Sequence, residues 1–486
     1  MEPQNFRFGG GAPDTVLTPV TALAMLIVIG LIFTRPRNKV IVPFLLGCFT
    51  IPIQQVVVVG GLHFTALRIL IIAGLIRRAI LGGSSSAGKF PGGLNGIDRM
   101  VILWAVALET LVSLQWMEMQ SFIHNLGDFL DIFGGYLVVR FFIPDGDTVR
   151  RTIKTLAVVC IIQGVCMLNE QIAHVNFFGY LGGYGPGLTI REGKIRSQGV
   201  LGCISAGGFA GALVPLFLWL WTERKCRMLA YAGFAGAIVM VFTSNSSTSL
   251  LALAASALAI FVWPLRRQMR LVRWGLVLTL VALHLAMKAP VWALIARIDL
   301  TGSSSGDHRY MLVDFCIRHF SDWWLRGYKD YNQWGWGMFD RCNQFVVQAL
   351  DGGLLALVAY IAIFSRSFAA IGEARKKVQG DRGREWLLWC LGSTLFSVVV
   401  AHFGINYPAM MEIGLFTFWT LSSVATFEAR QAPVQRVQAP VQRVQAPADE
   451  QLASAPGAAG IYLPDGESKE ATTAYLFRSV VGRTHR

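Results

Sequence analysis

The sequence predicts an all-α polytopic membrane bundle of about thirteen transmembrane helices with a long loop on the non-cytoplasmic side. Three observations predict it. Hydrophobic residues make up 54% of the 486 and charged residues only 15%, where a soluble domain carries about a quarter charged. The apolar residues fall in runs near the roughly twenty that an α-helix needs to cross a bilayer core. Lys and Arg gather in short clusters at every second connection, the signature of cytoplasmic loops that fix orientation. That distribution also decides how the net charge of +14 is read. It belongs to membrane topology, and nucleic-acid binding is not indicated.

In chain order the runs lie near 15–34, 40–59, 64–80, 100–116, 129–143, 153–168, 200–221, 228–243, 247–264, 274–290, 344–365, 386–402 and 406–427. The first is long enough to span, and no cleavable signal peptide is evident. The basic connections are Arg35–Lys39, Arg77–Arg99, Arg150–Lys154, Arg224–Arg227, Arg266–Arg273 and Arg366–Arg384. They are assigned to the cytoplasm, which places the N-terminus outside and the C-terminus inside. The long connections 169–199 and 291–343 then face outward from a membrane domain covering 1–427. The expected location is the bacterial inner membrane. Gly82 to Gly93 has flexible-linker composition. Beyond 427 the chain repeats Ala432-Pro-Val-Gln-Arg-Val-Gln438 as Ala439–Gln445, and 428–486 is expected as a disordered cytoplasmic tail.

The eight Cys show no CxxC and no Cys/His ligand spacing, so neither a metal nor another cofactor is expected. Gly182-Gly-Tyr-Gly-Pro-Gly187 lacks the Gly-Lys-Ser/Thr ending of a phosphate-cradling loop. The chemistry concentrates in the second outward loop, with Asp307, His308, Arg309, Asp314, Arg318, His319, Trp324, Arg326, Arg341, Cys342 and Asn343. Its Trp and Tyr residues suit a membrane-interface belt, or stacking on a sugar. Arginines outside run against the positive-inside bias. They point either to snorkelling toward lipid headgroups or to an anionic substrate such as a lipid phosphate. Asp307–Phe320 has Tyr310, Val313 and Ile317 at helical spacing and is expected as a short interfacial helix. Arg68, Glu109, Arg140 and Glu412 fall inside runs. Structural roles are assigned to them first: snorkelling for the two arginines, pairing with arginine for the two glutamates.

Several stretches together resemble the O-antigen ligase/polymerase family. They are Gly306-Asp-His-Arg309-Tyr-Met-Leu-Val, Trp324-Leu-Arg-Gly327-Tyr and Asp340-Arg-Cys-Asn343, the last leading to Asp351-Gly-Gly353 at the head of a helix. Arg196-Ser-Gln-Gly199 resembles the family's Arg-x-x-Gly segment. Thr243-Ser-Asn-Ser-Ser-Thr-Ser-Leu resembles its Thr-x-Ser-Arg helix start without the Arg. The resemblance implies an inverting, metal-independent glycosyl transfer at the periplasmic face. The donor would be a polyprenyl-diphosphate-linked glycan and the acceptor a glycan or lipid hydroxyl, with membrane lipids and polysaccharide-assembly proteins as partners. Arg196 and Arg309 would stabilise the departing diphosphate. Arg318, Arg326 and Arg341 would hold lipid phosphate or acidic glycan, with Trp324 and Asn343 as further binding residues. The family's His falls on Cys342. Three explanations stand: His308 or His319 supplies the base, leaving-group stabilisation and positioning suffice, or the acceptor has diverged or activity is lost. A Cys316–Cys342 disulfide in an oxidising compartment is the structural alternative. Two other function classes remain, a transporter or flippase of lipid-linked glycans and a non-catalytic assembly subunit. Polymerase-type assembly is preferred to ligase, because the family His is missing.

Overall fold

The computed structural model describes residues 15–82, 90, 92–183, 187–297 and 305–431. It is an all-α bundle with two small hairpins. The elements are α1 (Pro19–Thr34), α2 (Arg37–Thr50), β1 (Val56–Val59), β2 (Leu62–Thr65), α3 (Ala66–Gly82), α4 (Gly96–Trp116), α5 (Met119–Phe129), α6 (Gly135–Phe142), α7 (Gly146–Ala173), α8 (Phe177–Tyr180), β3 (Ile190–Arg191), β4 (Lys194–Ile195), α9 (Cys203–Thr222), α10 (Arg227–Thr243), α11 (Ser247–Phe261), α12 (Met269–Ala286), α13 (Ser305–Arg318), α14 (Phe320–Trp323), α15 (Gln344–Lys377), α16 (Arg382–Ala401) and α17 (Ala409–Gln431). Seven described helical stretches are long and apolar enough to cross a membrane, and α1 and α11 are shorter apolar helices. The expected tail lies outside the described residues, except that α17 continues through Gln431. Most of the expected Gly-Ser linker also lies outside them.

Local sequence explains the boundaries. Pro19 at the first helical position and the Thr18 hydroxyl open α1. Asn95 and Asp98 form a reciprocal capping box on α4. The run expected at 40–59 does not continue as helix. α2 stops at Thr50, and the β-branched Val56–Val59 pairs with Leu62–Thr65 across Gly60-Gly61. The run at 129–143 is entered through α5 and a π-helical turn, Leu130–Gly134.

α9 and α17 run through the core with most of their side chains buried. Small residues let backbones approach. A Cβ added to Gly164 of α7 would come within 2.9 Å of the Gly236 backbone on α10. The basic connections gather at one end, joined by Arg266–Glu385 (3.0 Å), Arg430–Glu373 (2.8 Å) and the Arg37 Nε bond to the Phe141 carbonyl. The two arginines expected to snorkel are instead paired inside. Arg140 meets Asp98 at 3.2 Å and Arg68 meets Asp131 at 2.6 Å. A guanidinium held in a fixed ion pair avoids the cost of an unpaired charge in the bundle. Glu109 and Glu412 form no ion pair with any described residue, contrary to the expected pairing.

At the opposite end, α15 is broken. Gly353 sits at φ 61°, ψ −166°, a conformation open to glycine. Residues 324–328 cross the break and satisfy its backbone: Leu354 N donates to Trp324 O (2.8 Å) and Tyr328 N donates to Leu350 O (2.7 Å). Irregular backbone at membrane depth is tolerated where protein supplies such partners. A separate small core of Leu312, Cys316, Trp323, Met338, Val346 and Leu350 anchors this region.

Candidate functional site

The site begins with β3 and β4. Glu192 (φ 51°) and Gly193 (φ 73°) occupy the two positive-φ positions of the turn between them. The hairpin returns the chain so that Arg196 N donates to Thr189 O (2.8 Å) and Ser197 N donates to Thr243 O (3.0 Å). The Glu170 carboxylate accepts from Gln198 N (2.9 Å) and Gly199 N (3.0 Å) and fixes the next turn. Arg196 is thereby buried against the α10–α11 junction, where its Nε donates to Ser244 O (3.4 Å).

Arg309 arrives from α13. The expected helix is present, but its inward face is Arg309, Leu312 and Cys316, with Ile317 exposed. Arg309 Nη2 donates to Thr248 Oγ1 (2.9 Å), whose hydroxyl donates to Gly404 O (3.1 Å). Arg309 Nε is buried with no partner. Neither Arg196 nor Arg309 forms an ion pair with a described carboxylate. Burial lowers the Arg309 pKa, and repulsion from Arg191 and Arg196 adds to this. A guanidinium nevertheless stays charged at neutral pH. Three arginines thus share one region, the two most buried without counterions. Arg191 lies in the first outward loop and was not singled out from the sequence.

Cys342 lies beside Arg309, whose guanidinium favours its thiolate. Burial first, then the Asp340 charge, pushes its thiol up to about 11. It is therefore almost wholly protonated at neutral pH and cannot act as the base. It is also free, as is Cys316, so the disulfide alternative does not hold. His308 Nε2 lies 2.8 Å from Asp340 O. Nitrogen, carboxylate and sulfur donors of His308, Asp340 and Cys342 come within 4.8 Å of one another. Such a mixed set suits Zn2+, although the Arg309 guanidinium beside the thiol opposes a second positive charge there.

The remaining sequence candidates lie elsewhere. His319 stacks on Trp334 (4.5 Å, 7°) and its Nδ1 lies 3.2 Å from Asp322. Arg318 is exposed and pairs with Asp314 (2.7 Å). Trp324 and the Arg326 side chain are exposed. Asn343 Oδ1 caps α15, accepting from Phe345 N (3.0 Å) and Val346 N (3.2 Å). Arg341 pairs with Asp351 and lies over the Tyr331 ring (5.1 Å). It lines a polar chamber of about 430 Å³ that also presents Glu109, Asp128, Asp131, Gln348 and Glu412. Their convergence is not legible in the sequence, since they come from three separate segments.

Compared with known protein families and with curated protein sequences, the chain finds no match.

Proposed function

We propose that this protein is a membrane glycan transferase of bacterial polysaccharide assembly, moving a glycan from a polyprenyl diphosphate to an acceptor hydroxyl. The observation that carries the reading is the meeting of Arg196 and Arg309, both buried and lacking a carboxylate partner, with Arg191 beside them. Such a cluster is arranged for an anion, and guanidinium forks match phosphate oxygens. The topology proposed with it has about thirteen crossings in the inner membrane. The six basic connections would face the cytoplasm and the arginine site the periplasm.

In the reaction the acceptor oxygen attacks the anomeric carbon and inverts it. The bond to the diphosphate breaks, and its electron pair goes to the departing phosphate oxygen. Charge grows there in the transition state, where Arg196 and Arg309 stabilise it. The acceptor proton goes to His308, which adjoins Arg309 in sequence and approaches Cys342 in space.

The test is deletion in the host, complemented with wild type, Arg196→Ala and Arg309→Ala at matched expression. Single repeat units left on the lipid carrier, unrescued by either variant, are expected for a polymerase. Full-length polymer left on the carrier means ligase. Unaltered glycans, or full rescue by both variants, refute the site and favour a transporter or assembly subunit. Each arginine is expected to contribute about 100-fold or more in rate, as for other preplaced charge-stabilising donors.

A further inference from the structure

We infer that His308, Asp340 and Cys342 form a three-ligand site for a borderline divalent cation of the Zn2+ type, at the edge of the arginine cluster. Resting on the transfer reading above, the ion acts as an inhibitor, because it occupies the His308 lone pair that would receive the acceptor's proton.

The donors come from two segments that the fold holds together. His308 lies in the first turn of α13, and Arg309 beside it is fixed by its bond to Thr248 (2.9 Å). Asp340 and Cys342 lie two apart on the tight turn before α15, where Cys342 N donates to Asp340 O (3.0 Å). Alternate side chains on such a path leave on the same side. The turn is pinned on its far side by the Arg341–Asp351 ion pair and at its end by the Asn343 cap. The imidazole is held as well. Its Nε2 lies 2.8 Å from Asp340 O, and Gly337 (φ 99°) passes so close that a Cβ there would stand 3.1 Å from His308 Nδ1. The nitrogen, carboxylate and sulfur donors fall within 4.8 Å of one another, with His308 Nε2 and Asp340 Oδ2 at 4.0 Å. Donors bound to one tetrahedral Zn2+ stand about 3–4 Å apart, so closure takes a shift of about an ångström. Asp340 can supply it, because its side chain is 62% exposed.

The donor set selects the ion. Nitrogen, carboxylate and thiolate together suit Zn2+ rather than Mg2+ or Ca2+, which take oxygen ligands. An ion pair of His308 with Asp340 would account for two of the three groups and leave the thiol without a part. On binding, the sulfur–metal bond forms and the Cys342 proton goes to solvent. The thiolate and the Asp340 carboxylate then offset both charges of the ion. Arg309 acts on both sides of this balance, since it repels the cation and favours the thiolate that holds it. Three protein ligands leave a fourth position for water or a phosphate oxygen. The sequence hid the site because His308 stands 32 residues from Asp340, outside the short spacings of metal motifs.

The test uses the full chain in detergent, stripped with EDTA and titrated with Co2+ alone, then with Zn2+. A sulfur-to-cobalt charge-transfer band is expected, and Zn2+ should abolish it by displacing Co2+. Cys342→Ser should remove the band, and Cys203→Ser should keep it. Asp340→Asn, at an exposed position, should weaken Co2+ binding about tenfold or more while elution on size exclusion stays unchanged. No band, a band that survives Cys342→Ser, or wild-type affinity in Asp340→Asn overturns the site. Transfer on isolated membranes gives the second readout. Saturating Zn2+ should lower the wild-type rate about 100-fold or more, as for a lost general base, and EDTA should restore it. Asp340→Asn should need about tenfold more Zn2+ for the same fractional loss from its own metal-free rate. A wild-type rate unchanged at Zn2+ levels that displace all the Co2+ overturns the inhibitory role. The metal readout needs no donor. If no band forms while the arginine variants still abolish transfer, only this site falls. A band that Cys342→Ser removes, with arginine variants that keep normal glycans, leaves the metal site standing and removes the transfer reading.

Discussion

Cys342 offers the sharpest test of the site's electrostatics. With the thiol at about 11, about one molecule in a thousand is thiolate at pH 8. A free cysteine near 8.5 is about one quarter ionised there. Ionisation alone therefore slows thiol–disulfide exchange at Cys342 about two hundredfold. The more basic thiolate is intrinsically more nucleophilic, which returns a factor of about ten to twenty over about 2.5 units. The expected net rate is about ten to twenty times below that of a free thiol, before any steric hindrance. The assay is reaction of the full chain in detergent with a small disulfide reagent, followed at the Cys342 peptide by mass spectrometry from pH 7 to 10. The rate should climb about tenfold per pH unit across the whole range. Asp340→Asn removes a charge that raises the pKa, so it should speed the reaction at fixed pH. Arg309→Ala removes a charge that lowers it and should slow the reaction. The thiol has no proton-accepting role, so Cys342→Ala should keep glycan transfer within a fewfold of wild type. A rate that levels off near pH 8, or an Asp340→Asn change of the opposite sign, refutes this account of the thiol.

Three further outcomes are expected. His308→Gln keeps hydrogen-bonding capacity but cannot take a proton, so transfer measured on isolated membranes should fall about 100-fold or more, within the range for a lost general base, while His319→Gln should have little effect. Gly353→Ala forces a residue with a Cβ into φ 61° and brings that Cβ within 3.1 Å of Arg326 N. It should cost about 1–3 kcal/mol, seen as a lower unfolding temperature in detergent and faster proteolysis within 324–328. Asp98→Ala leaves Arg140 buried without its carboxylate and should cost about 3–5 kcal/mol, measured by denaturant unfolding. A double change that replaces both partners with apolar residues should recover much of that loss.

What the sequence made legible follows from where the information is local. Apolar runs and basic clusters are local, and each expected run contains helix in the structure. The exception in extent, 40–59, had its own local signal in the four consecutive valines and Gly60-Gly61. Arg196 and Arg309 were found because each lies in a short pattern. Cys342 was found the same way, and its reactivity was not legible, because its pKa depends on burial and on Asp340. The chamber was illegible for a related reason. Glu109, Asp128, Asp351 and Glu412 are single acids in separate helices, and only packing brings them together. The inverted polarity of α5 is the one local clue to it. Ser121, Asn125 and Asp128 share a helical stripe beside Phe122 and Leu126, yet hydropathy summed over a window erases that contrast.

The two sites meet at a single short segment, and its backbone explains how. Cys342 N donates to Asp340 O (3.0 Å) and Asn343 N donates to Arg341 O (2.8 Å), so 340–343 runs as two successive three-residue turns, close to extended. On such a path neighbouring side chains leave on opposite sides. Cys342 goes to Arg309, Arg341 goes to Asp351 in the chamber, and Asn343 turns back to cap α15. One four-residue stretch therefore separates a cationic site from an acidic one and anchors the broken helix beneath both.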